Sequence, residues 1–439
     1  MKAVFLCGGN GKRMCPIAED KFLLDFLGKT LLQHQLKMAQ KAGLKRFIVI
    51  GNPENIEKIE KITKSISGIQ VELTIQEKPL GIADALKSAR DFLQGEFLIV
   101  NPNDVFDDLA YSRILSAAEM NSVSACMLGY HVEDYFPGGY LDVDSHDNLK
   151  HIVEKPEPGE EPGDMVNILV HFHNNPGKLL EYIDAVETDR DDVYECALDN
   201  MARDGHKIKV IPYADFWAPI KYPWHIFKVV EHLLDAASSY ISPTARISGK
   251  ASLEGKVILA DNVKVLENAV LRGPVYVGPN SIIGNNALVR DYSHIGSNCV
   301  VGYCTEIKHS YIGDNCWFHS NYIGDSIIDA GCSFGSGAIT ANFRLDEDNI
   351  HMKANGSEID TGYDKLGAIM GKNCRVGINA SLMPGVKVGA DSFVGPQVCL
   401  NENLEANKVI LLKTQYQVMD NTTELNRNKR GKLLKKLED

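Results

Sequence analysis

The chain has 439 residues, 44% of them hydrophobic and 24% charged, and a formal net charge of −12 at pH 7. That length leaves room for two or three domains, each with its own core, and the acidic balance, unbroken by any basic stripe, argues against a general nucleic-acid binder. No apolar run approaches the roughly 18–20 residues of a membrane span, and the ten cysteines are scattered without a CxxC pair, as expected of reduced thiols rather than disulfides or zinc ligands.

The opening Met1-Lys2-Ala3-Val4-Phe5-Leu6 is too short and too soon followed by glycines for a signal peptide. It reads as the first buried strand of a cytoplasmic protein. Through residue 235, apolar runs alternate with amphipathic segments: strands are expected at 3–7, 47–50, 71–76, 97–100 and 208–212, and helices at 31–42, 53–64, 82–93, 177–185 and 193–204. This order predicts a doubly wound, Rossmann-like α/β domain, which binds ligands at the carboxyl ends of its strands. The first such end carries Gly8, Gly9 and Gly11 with Lys12, Arg13 and Lys21 nearby. A glycine-rich turn after a strand can cradle phosphates on its N–H groups, although a GGxG sequence alone serves equally as a tight turn. Residues 226–239 read as a helix leading into the next domain.

From Ile241 every sixth residue is aliphatic, twelve in a row to Ile307, and four places after each stands a small or β-branched residue such as Ala245, Ala251 or Cys299. Neither a helix nor an ordinary strand has that period; six residues per short strand and turn is the pattern of a hexapeptide-repeat parallel β-helix. Cys299, Cys304, Cys316, Cys332 and Cys374 occupy hexad positions and are expected as small core residues. Beyond Ile307 the repeat is expected to continue with insertions at 308–313, 318–324 and 328–337, to break at a charged loop, 342–367, and to resume from Met370 to Leu400. Loops that interrupt a solenoid carry function in many repeat proteins. The lysine-rich end, 420–439, is expected as a solvated tail or frayed helix.

The run GGNGKRMCPIAEDKFLLDFLGKTLLQHQL resembles the signature of nucleotidyltransferases that join a sugar 1-phosphate to a nucleoside triphosphate. The resemblance implies that Gly8, Gly9, Gly11 and Arg13 hold the triphosphate and that Lys21 neutralises its charge. It also implies that Gln76 and Gly81 read the base, and that Asp104, at the end of a strand, binds Mg²⁺. Gly139, Glu154 and Asn167 would contact the sugar, and Lys155 a phosphate. Two positions depart from the pattern. Leu169 stands where the family has Gly, and in Trp217-Ala218-Pro219-Ile220-Lys221-Tyr222-Pro223 Pro219 replaces the second metal ligand of Trp-x-Asp-Ile-Gly-x-Pro.

The second half is similar to the acetyltransferase domain of bifunctional sugar-1-phosphate nucleotidylyltransferase/acetyltransferases. It carries the runs His319-Ser320-Asn321-Tyr322-Ile323-Gly324-Asp325 and Thr340-Ala341-Asn342-Phe343. The resemblance implies His319 as general base, Tyr322 and Asn342 as holders of the amino sugar and acetyl group, and Arg290 and Lys308 as the phosphate-binding pair. A further lysine of the family falls on Asp348, and Lys353 is a candidate replacement. The chemistry is consistent: a sugar ammonium must lose a proton before it attacks a thioester, a task suited to histidine. N–H groups at Gly335–Gly337 are candidates for stabilising the oxyanion.

The expected organisation is a nucleotidyltransferase-like α/β domain (1–225), a linker (226–240), a left-handed β-helix (241–412) and a charged tail (413–439). The expected enzyme acetylates glucosamine 1-phosphate with acetyl-CoA, then couples the product to UTP or dTTP with Mg²⁺, as a homotrimer with no nucleic-acid or membrane partner. The sequence leaves open two alternatives: a nucleotidyltransferase whose β-helix only oligomerises, and a non-catalytic scaffold or sensor.

Overall fold

Val4 and Phe5 are both fully buried, so the strand Lys2–Leu6 has protein on both faces, as a central strand of a doubly wound sheet must. The structure is a computed structural model describing residues 1–439 except 10, 120–122, 355, 414, 426 and 437–439, and without the side chains of 12, 427 and 428. Asn10 and the Lys12 side chain of the glycine loop thus lie outside the described residues. Lys2–Leu6 pairs in parallel with Phe97–Val100 on one side and Arg46–Gly51 on the other, and Gln70–Ile75 follows at the edge. The chain therefore reverses its winding direction beside Lys2–Leu6, and the glycine loop emerges at that switch point, where such sheets open a ligand crevice.

The sheet is larger and more mixed than the sequence suggested. It has nine strands, because Met165–His173 adds antiparallel to Phe97–Val100 and in turn pairs with Ala125–His131. A hairpin of Gly139–Val143 and Leu149–Glu154 extends it. Polar residues interrupt Met165–His173 and the hairpin strands, which hides them from a pattern reading. His171 and His173 are buried within Met165–His173, with His171 Nδ1 2.8 Å and His173 Nε2 2.9 Å from the Tyr194 hydroxyl. A separate two-stranded pair, Asp104–Phe106 with Trp217–Pro219, stands at the cleft.

In the second half, three parallel sheets form the sides of a left-handed β-helix. Val257 pairs with Val275 and Val275 with Ser293, one coil per eighteen residues. The aliphatic column from Leu259 to Ile307 is fully buried or nearly so. The first coil has a neighbour on one side only, and its Ile241 and Ile247 remain 47% and 37% exposed. Cys304 is exposed rather than in the core; it sits at a corner with φ +53. Cys299, Cys316, Cys332 and Cys374 are buried and unbridged.

The insertions expected at 308–313 and 318–324 are instead shortened turns, and 328–337 keeps the regular six-residue spacing, with Ile328, Phe334 and Thr340 as successive core positions. Ile307 pairs with Ile323, and Ile312 with Ile328, two residues short of a full coil. The hexad contracts to five residues at 307–312, 318–323 and 323–328, with His309, Ser320 and Asp325 in the left-handed region at the tightened corners. The charged loop 342–367 contains a hairpin, His351–Ala354 with Ser357–Asp360. It buries Ile350, Met352 and Leu366 in a core shared with Phe26, Trp224 and Phe227 of the first half and with Tyr276 and Tyr311 of the β-helix. The helix Ile226–Ala236 connects the halves. Tyr311 Oη donates to Asp25 O at 3.0 Å and Leu27 N to His294 Nε2 at 3.1 Å, so the first domain covers one face of the β-helix. An exposed helix, Arg427–Lys435, follows an exposed segment without strand or helix. Among the described residues no helix is long and apolar enough to cross a membrane.

Candidate active sites

At the end of Lys2–Leu6 a cleft of about 520 Å³ is lined by Gly8, Gly9, Gly11, Arg13, Lys21 and Gln76, with Gly81, Asn101, Asn103, Leu169 and Asp191 closing it. The predicted triphosphate-binding and base-reading residues thus share one cavity. Gln76 Nε2 donates to Gly81 O (3.0 Å) and Asp84 Oδ2 (2.9 Å), and among the described residues its carbonyl oxygen has no donor. Burial, reinforced by Arg13, pulls the Lys21 ammonium down to about 8 against the attraction of Asp104.

Asp104 is buried at the edge of this cleft. Burial lifts its carboxyl to about 6, opposed by the Lys221 charge and by a hydrogen bond from Asn101 Nδ2 to Oδ2 at 3.2 Å. The residue opposite Asp104 in the short ladder is Pro219, so the position singled out in the sequence does face Asp104. Lys221, two residues on, carries a largely buried ammonium. Its Nζ donates to Pro137 O at 2.6 Å and lies 3.3 Å from the centre of the Phe136 ring.

The sugar-contact candidates converge a short way along the sheet. A Cβ added at Gly139 would lie 2.8 Å from Asn167 Nδ2 and 3.1 Å from Glu154 Oε2, so glycine there leaves the space between the two polar groups open. Lys155 Nζ pairs with Glu154 Oε1 at 2.5 Å. Beside them is Glu195, which the sequence reading passed over. It is buried, and desolvation, reinforced by the Glu154 charge, raises its carboxyl to about 8.

The candidate acetyl site is organised around another residue not singled out beforehand. The Asp325 side chain is 4% exposed and receives Lys308 Nζ at 2.9 Å on Oδ2, His309 Nδ1 at 2.8 Å on Oδ1, and Asn342 Nδ2. Tyr322 and Asn342 flank Gly324, whose missing Cβ would sit 2.6 Å from Tyr322 Oη and 2.9 Å from Asn342 Nδ2. Arg290 Nη1 donates to Glu306 Oε1 at 3.0 Å, and Glu306 is the ladder partner of Tyr322. Arg290, Lys308, Tyr322 and Asn342 therefore form one connected surface. His319 is exposed at the shortened corner just before Tyr322. Its loop is fixed by Asn321, which accepts from His319 N and donates to Gly335 O (2.8 Å) and Ala338 O (2.9 Å).

Two expectations fail here. The Gly335 and Gly337 N–H groups are spent on Val376 O and Ser320 O, so they cannot hold an oxyanion. Lys353 lies on the hairpin lining a cavity of about 790 Å³ between the domains, with Pro16, Ile17 and Lys387. It does not replace the lysine lost at Asp348.

Residues 2–218 match the nucleotidyl transferase family, and residues 256–291 and 367–402 match six-repeat segments of the bacterial transferase hexapeptide family. A bifunctional protein GlmU of Methanococcus maripaludis (strain C7) is 35% identical over 423 residues, covering 95% of this chain and 99% of that one. A bifunctional sugar-1-phosphate nucleotidylyltransferase/acetyltransferase of Sulfurisphaera tokodaii is 31% identical over 410 residues, covering 92% of this chain and 98% of that one. The chain belongs to the bifunctional sugar-1-phosphate nucleotidylyltransferase/acetyltransferase family. Among solved structures, an apo UDP-glucose pyrophosphorylase aligns at 15% identity with a TM-score of 0.47, over 51% of this chain and 94% of that one.

As a bifunctional nucleotidylyltransferase/acetyltransferase the protein is an enzyme of nucleotide-sugar synthesis, and each half carries a site suited to one reaction. In the short ladder of its nucleotidyl half, Asp104 has Pro219, which offers no side-chain ligand, as its partner. Among the described residues no three His, Cys, Asp or Glu side chains gather as a metal site. These residues suit Mg²⁺ that arrives on a triphosphate and touches Asp104, since this ion keeps most of its ligands as water and phosphate oxygen. They do not suit a resident ion clamped between two side chains.

Proposed function

We propose that this bifunctional enzyme acetylates glucosamine 1-phosphate with acetyl-CoA and couples the N-acetylated product to UTP, or dTTP, with release of pyrophosphate. The observation that carries the reading is the joining of Arg290, Lys308, Tyr322 and Asn342 beside the exposed His319, on the same chain as the Gly8–Arg13 cleft. His319 takes the proton from the sugar ammonium, the freed amine attacks the thioester carbonyl, and the C–S bond breaks to release CoA as the thiol, which carries the nitrogen's second proton. Arg290 and Lys308 hold the 1-phosphate and so fix the amine in reach, converting an encounter into a positioned attack. Tyr322 and Asn342 border the same space and hold the amino sugar and acetyl group.

In the first domain the sugar phosphate attacks the α-phosphorus of the triphosphate, a step catalysed mainly by position and charge neutralisation. Gly8, Gly9, Gly11, Arg13 and Lys21 hold the triphosphate. Gln76 and Gly81 meet the base. Gly139, Glu154 and Asn167 receive the sugar, and Lys155 its phosphate. Asp104 would hold Mg²⁺ brought in with the triphosphate, and the ion would supply further neutralisation of phosphate charge.

We also propose a closed trimer. Trp317 (54% exposed) and Phe393 (48%) share one face of the β-helix and Ile339 (37%) lies on the next. Both faces are distinct from the one bearing Tyr276 and Tyr311, which packs on the first domain. His319 stands at the corner between these two faces. A monomeric mass by light scattering at micromolar concentration would contradict the trimer. The function is tested by a four-way product assay: glucosamine or galactosamine 1-phosphate with acetyl-CoA, followed by UTP or dTTP. The expected product is a nucleotide N-acetylhexosamine. Failure to acetylate either sugar would overturn the reading of the second half.

A further inference from the structure

Lys221 is placed as no surface lysine would be. Its backbone is fixed by Ile220 N donating to Asn103 O at 2.9 Å and by His225 Nδ1, 2.7 Å from Pro219 O. The side chain runs under Phe136, 3.3 Å from the ring centre, and its ammonium reaches Pro137 O at 2.6 Å. A desolvated ammonium is costly unless opposing charge or ligand offsets it. Burial pulls its ammonium down to about 7, against the attraction of Asp104, so an anionic ligand beside it would restore its charge; the short ladder sets it two residues beyond Pro219, the partner of Asp104. An ammonium has three donors. Among the described residues one is used, on Pro137 O, and two are free for a ligand. The residue opposite Asp104, where a second metal ligand would stand, is Pro219, and the same short segment brings in this cation.

We propose that Lys221 is a phosphate-contacting residue of the nucleotidyl site, a built-in cation that takes over part of the charge neutralisation otherwise left to a side-chain-clamped divalent ion. The proposal rests on the nucleotidyl reading given above. Lys221 then binds the polyphosphate whether or not Mg²⁺ is present, and Mg²⁺ adds to binding without being required for it. The cation–π contact and the bond to Pro137 O hold the ammonium in place before the substrate arrives, so little entropy is lost on binding.

The test is calorimetric binding of UTP to the full chain, in excess EDTA and in Mg²⁺. Wild type is expected to bind in both media. Lys221→Gln should weaken binding in EDTA by at least about tenfold, the scale of a charge-assisted hydrogen bond, while Lys221→Arg should restore most of it. Acetyl transfer and melting temperature of the same preparations report folding. As a second readout, Mn²⁺ binding by paramagnetic resonance in the presence of UTP should be weak in wild type and tighten in the double variant Pro219→Asp, Lys221→Gly. Binding of UTP in EDTA that is equal in wild type and Lys221→Gln would overturn the proposal alone. No binding of UTP or dTTP to wild type in either medium would overturn it together with the nucleotidyl reading.

Discussion

His309 ties the two halves of the chain together through Glu231. Its Nε2 lies 2.7 Å from Glu231 Oε1 on the connecting helix, while its Nδ1 contacts Asp325 Oδ1 in the candidate acetyl site. Burial pulls the imidazolium down, but the hydrogen bonds and charges of Asp325 and Glu231 outweigh it and raise the group from 6.5 to about 9. Burial likewise pushes the Asp325 carboxyl up, and the bonds from His309, Lys308 and Asn342 bring it below its ordinary value. A raised folded pKa stabilises the folded chain fully below about pH 6.5, and that contribution is lost as pH rises through about 9. His309→Gln should therefore lower the melting temperature by several degrees at pH 7, and the gap from wild type should close by pH 10. A gap that stays constant across that range would mean the bridge does not titrate.

In the acetyl site, His319→Ala should reduce acetyl transfer by roughly 10²–10⁴-fold, the usual worth of a general base, with nucleotidyl transfer intact. Arg290→Ala should mainly raise KM for the sugar phosphate, because it removes binding shared by ground and transition states. Steady-state kinetics separate the two outcomes, and unchanged turnover in the His319 variant would remove that residue from the mechanism.

Gly139→Ala tests the sugar cluster. The added methyl would meet Asn167 Nδ2 and Glu154 Oε2 at 2.8 and 3.1 Å, closing the space assigned to the sugar. KM for the N-acetylated sugar phosphate should rise by at least about tenfold, as expected of a pocket lost to overpacking, while acetyl transfer holds steady. Equal KM values would place the sugar elsewhere.

At the nucleotidyl site, Asp104→Ala should abolish nucleotide-sugar formation and spare acetyl transfer. Pro219→Asp, which puts a carboxylate opposite Asp104, should lower the Mg²⁺ concentration needed for half-maximal rate. A magnesium titration of the coupled assay checks both. No nucleotide sugar from wild type at saturating Mg²⁺ with any common triphosphate would leave an acetyltransferase carrying an inactive first domain.

What was legible in the sequence follows from where periodicity is clean. The hexads declared the β-helix because each aliphatic residue faces one narrow core. Phe97–Val100 was readable as an unbroken apolar run and Ile208–Pro212 as an apolar run broken only by Lys209. Met165–His173 was not, since its buried histidines depend on a tyrosine from a distant helix. The fall in spacing from six to five at 307–312, 318–323 and 323–328 was visible but read as insertion. Those shortened corners carry Lys308, His309, His319, Tyr322 and Asp325. Asp325 and Lys221 were passed over because their meaning lies in which donors or charges the fold brings to them, and spacing alone carries no such information.

The central claim is that one chain performs two successive transfers at two separate sites. The direct measurement is mass spectrometry of products from glucosamine 1-phosphate, acetyl-CoA, UTP and Mg²⁺ with wild type, His319→Ala and Asp104→Ala. Wild type should give a nucleotide N-acetylglucosamine, and N-acetylglucosamine 1-phosphate should accumulate with Asp104→Ala. Unacetylated sugar phosphate should persist with His319→Ala. Loss of N-acetylglucosamine 1-phosphate with Asp104→Ala, failure of His319→Ala to convert supplied N-acetylglucosamine 1-phosphate to the nucleotide sugar, or a full product yield from both variants would contradict the claim.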